Sequence, residues 1–172
     1  MKKLCLILAI LACLTLVSCS KDTTVPDGMK LASGEAADYC FYVPEDWIVD
    51  IQTAATSAHV SNNDRANVSV MSWELEHTDD TVEAWWEVNL ESLKLGFTEY
   101  DEVKVEEDVM DGTHAVKYTY TAKLGEDEHK FIQAAAVRSG VVYVITCDAF
   151  PSDEFDSHAE DFDSVIANFK FK

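Results

Sequence analysis

The sequence predicts an α+β fold in which a single mostly antiparallel β-sheet packs against two helices. Two tight-turn signals, Asp111-Gly112 and Ser139-Gly140, each separate apolar or alternating segments that are long enough to pair as strands. Two other segments, 81–95 and 155–169, repeat apolar residues every three or four positions, as amphipathic helices do. A chain of 172 residues can form one domain with a substantial core.

The N-terminal segment, residues 1–18, has the composition of a bacterial lipoprotein signal peptide. Two lysines precede an uncharged apolar run, Leu4 to Val17, which is too short to span a bilayer. The run ends in Leu-Val-Ser before Cys19, which resembles the lipobox, whose cysteine receives a diacylglycerol. We expect a lipidated Cys19 to anchor the protein in the cell membrane on the extracytoplasmic side. An ordinary secretory signal is the alternative.

Residues 19–37 predict a flexible tether between Cys19 and a folded domain over residues 38–172. Polar and small residues dominate this stretch, and no sustained period is present. The charge of the chain is strongly negative, with 13 basic and 32 acidic residues and a formal net charge of −19. Such a surface repels nucleic acid, so we expect no nucleic-acid partner. The acidity favours solubility, with weak and diffuse cation binding as an alternative.

The first half of the domain is predicted to contain three strands and one helix. Segments 39–43 and 47–51 flank Pro44 as two strands, and residues 67–75 form a third. The helix extends over residues 81–95, and Gly96 is expected to end it in a left-handed conformation.

The predicted helix carries two adjacent tryptophans, Trp85 and Trp86. They lie about 100° apart around a helix. One is therefore expected to fill the core and the other to lie at its margin. A ligand-stacking role for the marginal tryptophan is the less favoured alternative, because amphipathic helices usually bury their aromatic residues.

The second half is predicted to be a four-stranded antiparallel meander followed by a C-terminal helix over 155–169. Each tight turn sets a register in which apolar residues face apolar ones and polar residues face polar ones, as a correct register should. The acidic segment 125–128 is expected to be a longer loop, which would place Lys123 opposite Lys130. The predicted pairs are Met110 with Thr113, Val105 with Tyr118, Val103 with Tyr120, Glu106 with Lys117, Lys104 with Thr119, Ala136 with Tyr143, Ala134 with Ile145 and Ile132 with Cys147.

One face of the first two meander strands is polar, and we call its central residues the polar shelf. A helix can cover only the apolar half of that sheet face, so this part is expected to stay open and could bind a partner. A solvated face without a partner is the alternative. The polar shelf comprises Lys104, Lys117, Thr119, Thr121 and Lys123, with Lys130 at its margin.

Two cysteines, Cys40 and Cys147, remain in the predicted domain, on apolar strands. Outside the cytoplasm they could form a disulfide. They could equally be small core residues, which is the favoured alternative.

No catalytic or metal motif is present, so we assign no catalytic residue, no metal ligand and no cofactor. The sequence lacks Gly-x-Ser-x-Gly, His-Glu-x-x-His and a glycine-rich phosphate loop. Segments 77–80 and 126–129 bring carboxylates near a histidine, but neither has the spacing of an EF-hand or a zinc site. Both are expected to be solvated turns.

The segment Phe41-Tyr42-Val43-Pro44-Glu45-Asp46-Trp47 resembles the opening of PsbP-like domains, in which an aromatic residue, a proline, two further residues and a tryptophan follow in order. Asp111-Gly112 before a long strand, the strand at 141–146 and the end of the last helix at 168–171 are similar to the C-terminal half of PsbP-like and DcrB-like domains. The resemblance covers about residues 39–172. Asp38 stands where a glycine is frequent, and no counterpart of the plant protein's extended N-terminal region is present.

The resemblance implies an α/β/α sandwich and a non-catalytic role in docking on larger assemblies or in retaining ions. Photosystem binding is not implied. Three classes of function remain: an interaction or assembly module with an envelope protein as partner, a small-ligand or divalent-cation binder, and an enzyme without a recognisable motif. We favour the first class.

Overall fold

The computed structural model describes residues 24–50, 56–77 and 80–172. The predicted signal peptide and Cys19 lie outside these residues. Among the described residues, no helix has the length and hydrophobicity needed to cross a bilayer. The strands are β1 Met29–Leu31, β2 Tyr39–Cys40, β3 Tyr42–Pro44, β4 Ile48–Asp50, β5 Thr56–His59, β6 Asn67–Glu74, β7 Thr98–Met110, β8 Thr113–Leu124, β9 Asp127–Arg138, β10 Val141–Ala149 and β11 Lys170–Phe171; the α-helices are α1 Val82–Leu95 and α2 Ala159–Ala167, and Ser152–Ser157 is a 3-10 helix.

Seven strands form the central sheet, in the order β4-β5-β6-β10-β9-β8-β7. All neighbouring strands are antiparallel. Two short antiparallel pairs, β1 with β3 and β2 with β11, form separate two-stranded sheets. The predicted α+β fold with one mostly antiparallel sheet is confirmed.

Both predicted tight turns are present, and their backbone angles identify the turn type. Asp111 and Gly112 have φ angles of 46° and 78°, and Ser139 and Gly140 have φ angles of 54° and 76°. Positive φ at both central residues is the mark of a type I′ turn, whose twist matches that of paired strands. The three pairs predicted across the second hairpin, from Ala136–Tyr143 to Ile132–Cys147, are all present.

The first hairpin agrees with the predicted register up to Lys104, and then departs from it. Val105 lies opposite Tyr118, and Lys104 lies opposite Thr119, as predicted. The predicted pairing of Val103 with Tyr120 is wrong, because the register shifts between Glu102 and Lys104 and brings Glu102 opposite Tyr120. At a bulge, one extra residue of a strand has no residue opposite it on the neighbouring strand. The residues of the turn do not reveal such a bulge.

The loop predicted at 125–128 is also wrong. Only Gly125 and Glu126 form the turn, so Lys123 lies opposite Glu128 and not opposite Lys130. The shorter turn shifts the register by two positions, which keeps every side chain on its predicted face. It also replaces a repulsive lysine pair with a pair of opposite charges.

Both faces of the sheet are covered, which gives the α/β/α arrangement. On one face, Trp85 and Trp86 of α1 pack over the apolar residues of β8, β9 and β10. The Trp86 ring stacks on Tyr118 with a centroid distance of 3.6 Å and an interplanar angle of 6°. On the other face, α2 and the short strands enclose a second cluster, in which Trp47 meets Phe162 edge to face.

Helix α1 begins where the sequence predicts, and its end differs in conformation. The Thr81 side chain accepts a hydrogen bond from the backbone N–H of Ala84 at 3.2 Å, which caps the first turn. Gly96 ends the helix, but its φ of −79° is right-handed, so the predicted left-handed conformation is wrong. Its N–H bonds the carbonyl oxygen of Leu93, which closes the last turn in the manner of a 3-10 helix.

The C-terminal segment divides into three elements where one helix was predicted. The 3-10 helix precedes α2, and the chain then pairs as β11 with β2. The helical spacing of Phe155, Phe162 and Phe169 is still meaningful, because all three side chains are buried in the same cluster.

The folded domain begins before residue 38, so the predicted extent of the tether is wrong. Strand β1 pairs with β3, and Met29 is only 9% exposed. The buried Ser33 hydroxyl donates to the carbonyl oxygen of Tyr39 and accepts from the N–H of Phe41, both at 3.1 Å. These hydrogen bonds hold the segment after β1 against β2 and the residue that follows β2. Composition alone does not predict such contacts.

Cys40 and Cys147 are both free and buried, so the structure contains no disulfide between them. Cys40 lies on β2 and Cys147 lies at the centre of the seven-stranded sheet on β10, and both pack in the same apolar cluster. They act as small core residues. Burial raises the pKa of the Cys147 thiol above its ordinary value.

Replacement of Trp86 by alanine should strongly destabilise the domain. A buried tryptophan truncated to alanine costs about 3–5 kcal/mol, through lost burial and the cavity left behind. Val88→Ala on the same helix is the matched control, because Val88 is 76% exposed and should cost under about 0.5 kcal/mol. Urea unfolding followed by far-UV circular dichroism measures both; equal losses would contradict the packing of Trp86 on Tyr118.

Both thiols should be inert in the folded chain. In a chain of residues 19–172 with Cys19→Ser, neither Cys40 nor Cys147 should react with a thiol reagent at pH 8, because each side chain is inaccessible and only the thiolate reacts. Both should react once guanidinium unfolds the protein, without prior reduction. An unfolded, unreduced chain that stays unreactive and is lighter by two hydrogens would show a disulfide instead.

Candidate functional site

The structure places the predicted polar shelf on one face of β7 and β8. Lys117, Thr119, Thr121 and Lys123 alternate along β8, and Lys104 lies opposite Thr119. The residues therefore do come together as the sequence predicts. This face is the one that α2 covers, and Lys117 at its inner edge is only 20% exposed.

Each lysine of the polar shelf contacts a carboxylate. The carboxylates that pair with Lys117 and Lys130 belong to α2 and the 3-10 helix. The elements that cover the apolar half of this sheet face therefore also neutralise part of the positive charge of the polar shelf. A hydrogen bond from Lys104 holds the pKa of Glu106 below its ordinary value, and one to Glu99 raises the pKa of Lys123. The pairs are Lys104–Glu106 at 2.7 Å, Lys117–Asp163 at 3.3 Å, Lys123–Glu99 at 2.5 Å and Lys130–Asp156 at 3.1 Å.

An apolar groove lies on the opposite face of the sheet, between α1 and β6. We call it the tryptophan groove. Met71, Trp73, Trp85 and Asn89 form its central lining. It consists of two adjoining hollows of about 310 and 430 Å³, which share Trp73, Trp85 and Asn89. Volumes in this range accommodate small ligands or a few side chains of a partner.

The groove exists because α1 covers β8, β9 and β10 but not the side of β6. Val68 and Val70 of β6 face the core on the other side of the sheet, so Met71 and Trp73 point towards α1. No element of the described chain covers them, and they are 56% and 38% exposed. The Trp73 ring leans on Trp85 with a centroid distance of 5.5 Å.

The first hollow has a mostly apolar lining with a polar floor. Met71, Trp86, Leu93 and Val144 contribute to its walls. At its floor, Gln133 donates a hydrogen bond to the Thr146 hydroxyl at 3.1 Å.

The second hollow ends in free carboxylates. Glu74, Glu76 and Asp80 line it beside Trp73 and Trp85. Within residues 24–50, 56–77 and 80–172, none of the three forms an ion pair. Neither hollow has a lysine or arginine in its lining, and His77 lines the second hollow beside the three carboxylates. Three carboxylates outnumber this one histidine, so the groove joins aromatic walls to a net negative end.

Trp85 divides the two hollows and is held by the helix. The Asn89 amide donates to the backbone carbonyl of Trp85 at 2.8 Å. The Trp85 indole N–H is buried and has no hydrogen-bond partner among the described residues. An unpaired buried donor is costly in a folded protein. The predicted division into one core and one marginal tryptophan is wrong, because Trp85 and Trp86 are only 9% and 6% exposed and are buried in the same cluster.

One group of side chains has the composition of a cation site. Glu83 of α1, Glu107 of β7 and His114 of β8 place one ligand atom each within 4.8 Å of one another. A hydrogen bond to Glu83 raises the pKa of His114, and the same bond lowers the pKa of Glu83. All three side chains are exposed, and the contacts are those of a surface ion pair.

The acidic segment 126–129 is not the solvated turn that the sequence predicts. Asp127, Glu128 and His129 belong to β9, where neighbouring side chains point to opposite faces. His129 Nδ1 lies 2.8 Å from Asp148 Oδ1, while Glu128 accepts a hydrogen bond from Ser152. In segment 77–80, residues 78 and 79 lie outside the description.

No sequence motif predicts the groove, although the composition of one strand points towards it. Strand β6 is apolar on both faces, with Val68 and Val70 on one side and Met71 and Trp73 on the other. Such a strand needs cover on both sides. The face of β6 that lacks cover is the one that carries Met71 and Trp73, because α1 does not extend over it.

No family model matches the sequence, and no curated protein matches it either. Solved structures do match in shape. The cyanobacterial PsbP protein (CyanoP) of Synechocystis sp. PCC 6803 superposes with a TM-score of 0.58 and 20% identity, over 87% of this chain and 96% of that one.

Two further proteins share the architecture. LpqN of Mycobacterium tuberculosis, which is involved in cell envelope biogenesis, gives a TM-score of 0.59 at 15% identity, over 78% of this chain and 83% of its own. The Ran-binding protein Mog1p of Saccharomyces cerevisiae gives 0.57 at 14% identity, over 83% and 95%. The strand order, the two helical layers and these superpositions agree with the resemblance seen in the sequence: the domain has the PsbP-like fold.

Proposed function

We propose that this protein is a membrane-anchored extracytoplasmic lipoprotein whose PsbP-like domain is a non-catalytic interaction module, with the tryptophan groove as its contact surface. The observation that carries the proposal is the exposure of Met71 and Trp73 in a groove that the domain does not cover itself. Exposed apolar clusters with a polar margin are typical of protein-binding surfaces. Aromatic residues and methionine are the types enriched there.

The anchor rests on the sequence of the N-terminal segment. A diacylglycerol on Cys19, with residues 20–23 and the start of the described chain as a short spacer, would hold the domain beside the membrane. Confinement to the membrane surface raises the effective concentration of the domain for an envelope partner. The involvement of LpqN in cell envelope biogenesis supports this location.

A non-catalytic role is supported by the chemistry of the described residues. His129 and His158 pair with Asp148 and Asp64, and the two described thiols are buried. A nucleophile activated by a neighbouring base is not found among them. Among the neighbours in shape, Mog1p is a Ran-binding protein, which supports interaction as a use of this fold.

A photocrosslinking amino acid placed at Met71 should capture a partner in living cells. Position 71 lies in the groove and is exposed, so a bound partner would be within reach of the crosslinker. Asp153, exposed on the 3-10 helix across the sheet, is the control position. One discrete adduct at 71, absent at 153 and lost with Cys19→Ala, is the expected result.

The outcome of that experiment also distinguishes the groove from the polar shelf. Crosslinking at Lys104 and not at Met71 would contradict the groove and favour the polar shelf, where charge reversal of Lys104, Lys117 and Lys123 should then abolish capture without unfolding. Equal yields at 71 and 153 would contradict a defined contact surface.

Divalent-cation binding is a second candidate function, favoured by the convergence of Glu83, Glu107 and His114. One imidazole and two carboxylates are ligands that zinc accepts. If these residues bind zinc, ZnCl2 at one hundred times Kd should stabilise the full chain by about 2.7 kcal/mol. The increase in Tm should disappear in His114→Gln and persist in His59→Gln on β5. No increase with the unaltered chain would exclude the site.

A further inference from the structure

We infer that the tryptophan groove binds a short segment of a partner protein in which an apolar or aromatic side chain is followed by lysine or arginine. This inference rests on the proposed function and names the chemistry of the partner. It follows from the polarity of the groove, which has an apolar hollow at one end and a negative hollow at the other.

The apolar end accepts a side chain without charge. Met71, Leu93 and Val144 supply hydrocarbon walls, and Met71 is an adaptable side chain that fits partners of different shape. The Gln133 amide and the Thr146 hydroxyl at the floor already bond each other. The lining of this hollow contains no charged residue, so a charged group placed here would lose its hydration and gain no partner of opposite charge.

The negative end favours a cation. Glu74, Glu76 and Asp80 lie in the lining of one hollow, and the described part of the chain supplies no ion-pair partner for them. The polar shelf differs, because each of its lysines already has a carboxylate. An incoming lysine or arginine would compensate charge that the fold leaves uncompensated.

The tryptophans favour the same ligand. Trp73 and Trp85 border the negative hollow, and the face of an indole ring attracts a cation. The flexible stem of lysine or arginine can also lie along an aromatic ring while its charged end reaches a carboxylate. An apolar residue and an adjacent basic residue would therefore occupy the two hollows on either side of Trp85.

The test uses the indole N–H signals of the chain from residue 19 to 172, with Cys19→Ser so that no detergent is needed. The probes are three acetylated and amidated peptides: Gly-Phe-Leu-Lys-Arg-Gly, its charge-reversed form Gly-Phe-Leu-Glu-Glu-Gly, and Gly-Ser-Ser-Lys-Arg-Gly without apolar side chains. The first should shift the signals of Trp73 and Trp85 and leave that of Trp47, which is buried beneath α2. The other two should bind at least about tenfold more weakly.

Charge removal in the groove provides the matched comparison. Glu76→Gln with Asp80→Asn should weaken binding of the first peptide at least about threefold, whereas Asp153→Asn with Glu154→Gln on the 3-10 helix should not. A rise in NaCl from 20 to 200 mM should weaken binding of the first peptide to the unaltered chain, because salt screens the attraction between opposite charges. This measurement tests the electrostatic contribution without any variant.

Several results would overturn the inference. Equal binding of the charge-reversed peptide, no loss with Glu76→Gln and Asp80→Asn, or no shift of Trp73 and Trp85 with any peptide would each do so. Shifts that depend on protein concentration alone would mean that a second copy of the chain occupies the groove. If crosslinking at Met71 succeeds while the peptides fail, the interaction module stands and only the chemistry assigned to its partner is wrong.

Discussion

The architecture of this domain depends on the burial of strand β10. It pairs with β6 on one side and β9 on the other, and Val142, Val144 and Ile145 are buried on its two faces. A strand that is apolar on both faces requires cover above and below. Helix α1 supplies one layer, and α2 with the short N-terminal and C-terminal strands supplies the other. The three-layer arrangement is a consequence of that requirement.

The candidate site arises where this cover is incomplete. Helix α1 has 14 residues and is therefore about 21 Å long. Trp86 stacks on Tyr118 of β8, whereas Trp85 reaches only the Trp73 ring at the edge of β6, and the rest of that face of β6 is left beyond the flank of the helix. Met71 and Trp73 consequently form the wall of a groove. On the other side of the sheet, the helical elements provide carboxylates to Lys117 and Lys130, and β7 provides those of Lys104 and Lys123. The two faces thus differ in kind: one is electrostatically compensated, and the other keeps an aromatic groove with free acidic groups.

Local chemistry accounts for what the sequence predicts well and for where it fails. The tight turns at Asp111-Gly112 and Ser139-Gly140 determine register because a two-residue turn leaves one pairing, and those registers are correct near the turns. The error at Val103 lies seven residues from its turn, where a bulge intervenes. Strands β1 and β11 were missed because each has only two or three residues, too few to show a period. The partner of β11, strand β2, also lies at the opposite end of the domain sequence.

The sequence by itself determined the α+β class, the meander and its turns, both amphipathic helical segments and the acidity of the surface, because each depends on neighbouring residues or on composition alone. It also brought Lys104, Lys117, Thr119, Thr121 and Lys123 onto one face, since strand alternation is a local property. Only the tertiary structure decided that those lysines meet carboxylates, that Cys40 and Cys147 stay apart as buried thiols, and that Trp73 meets Trp85 across an open groove. These outcomes depend on how far each helix extends over the sheet, which is set by the packing of distant side chains.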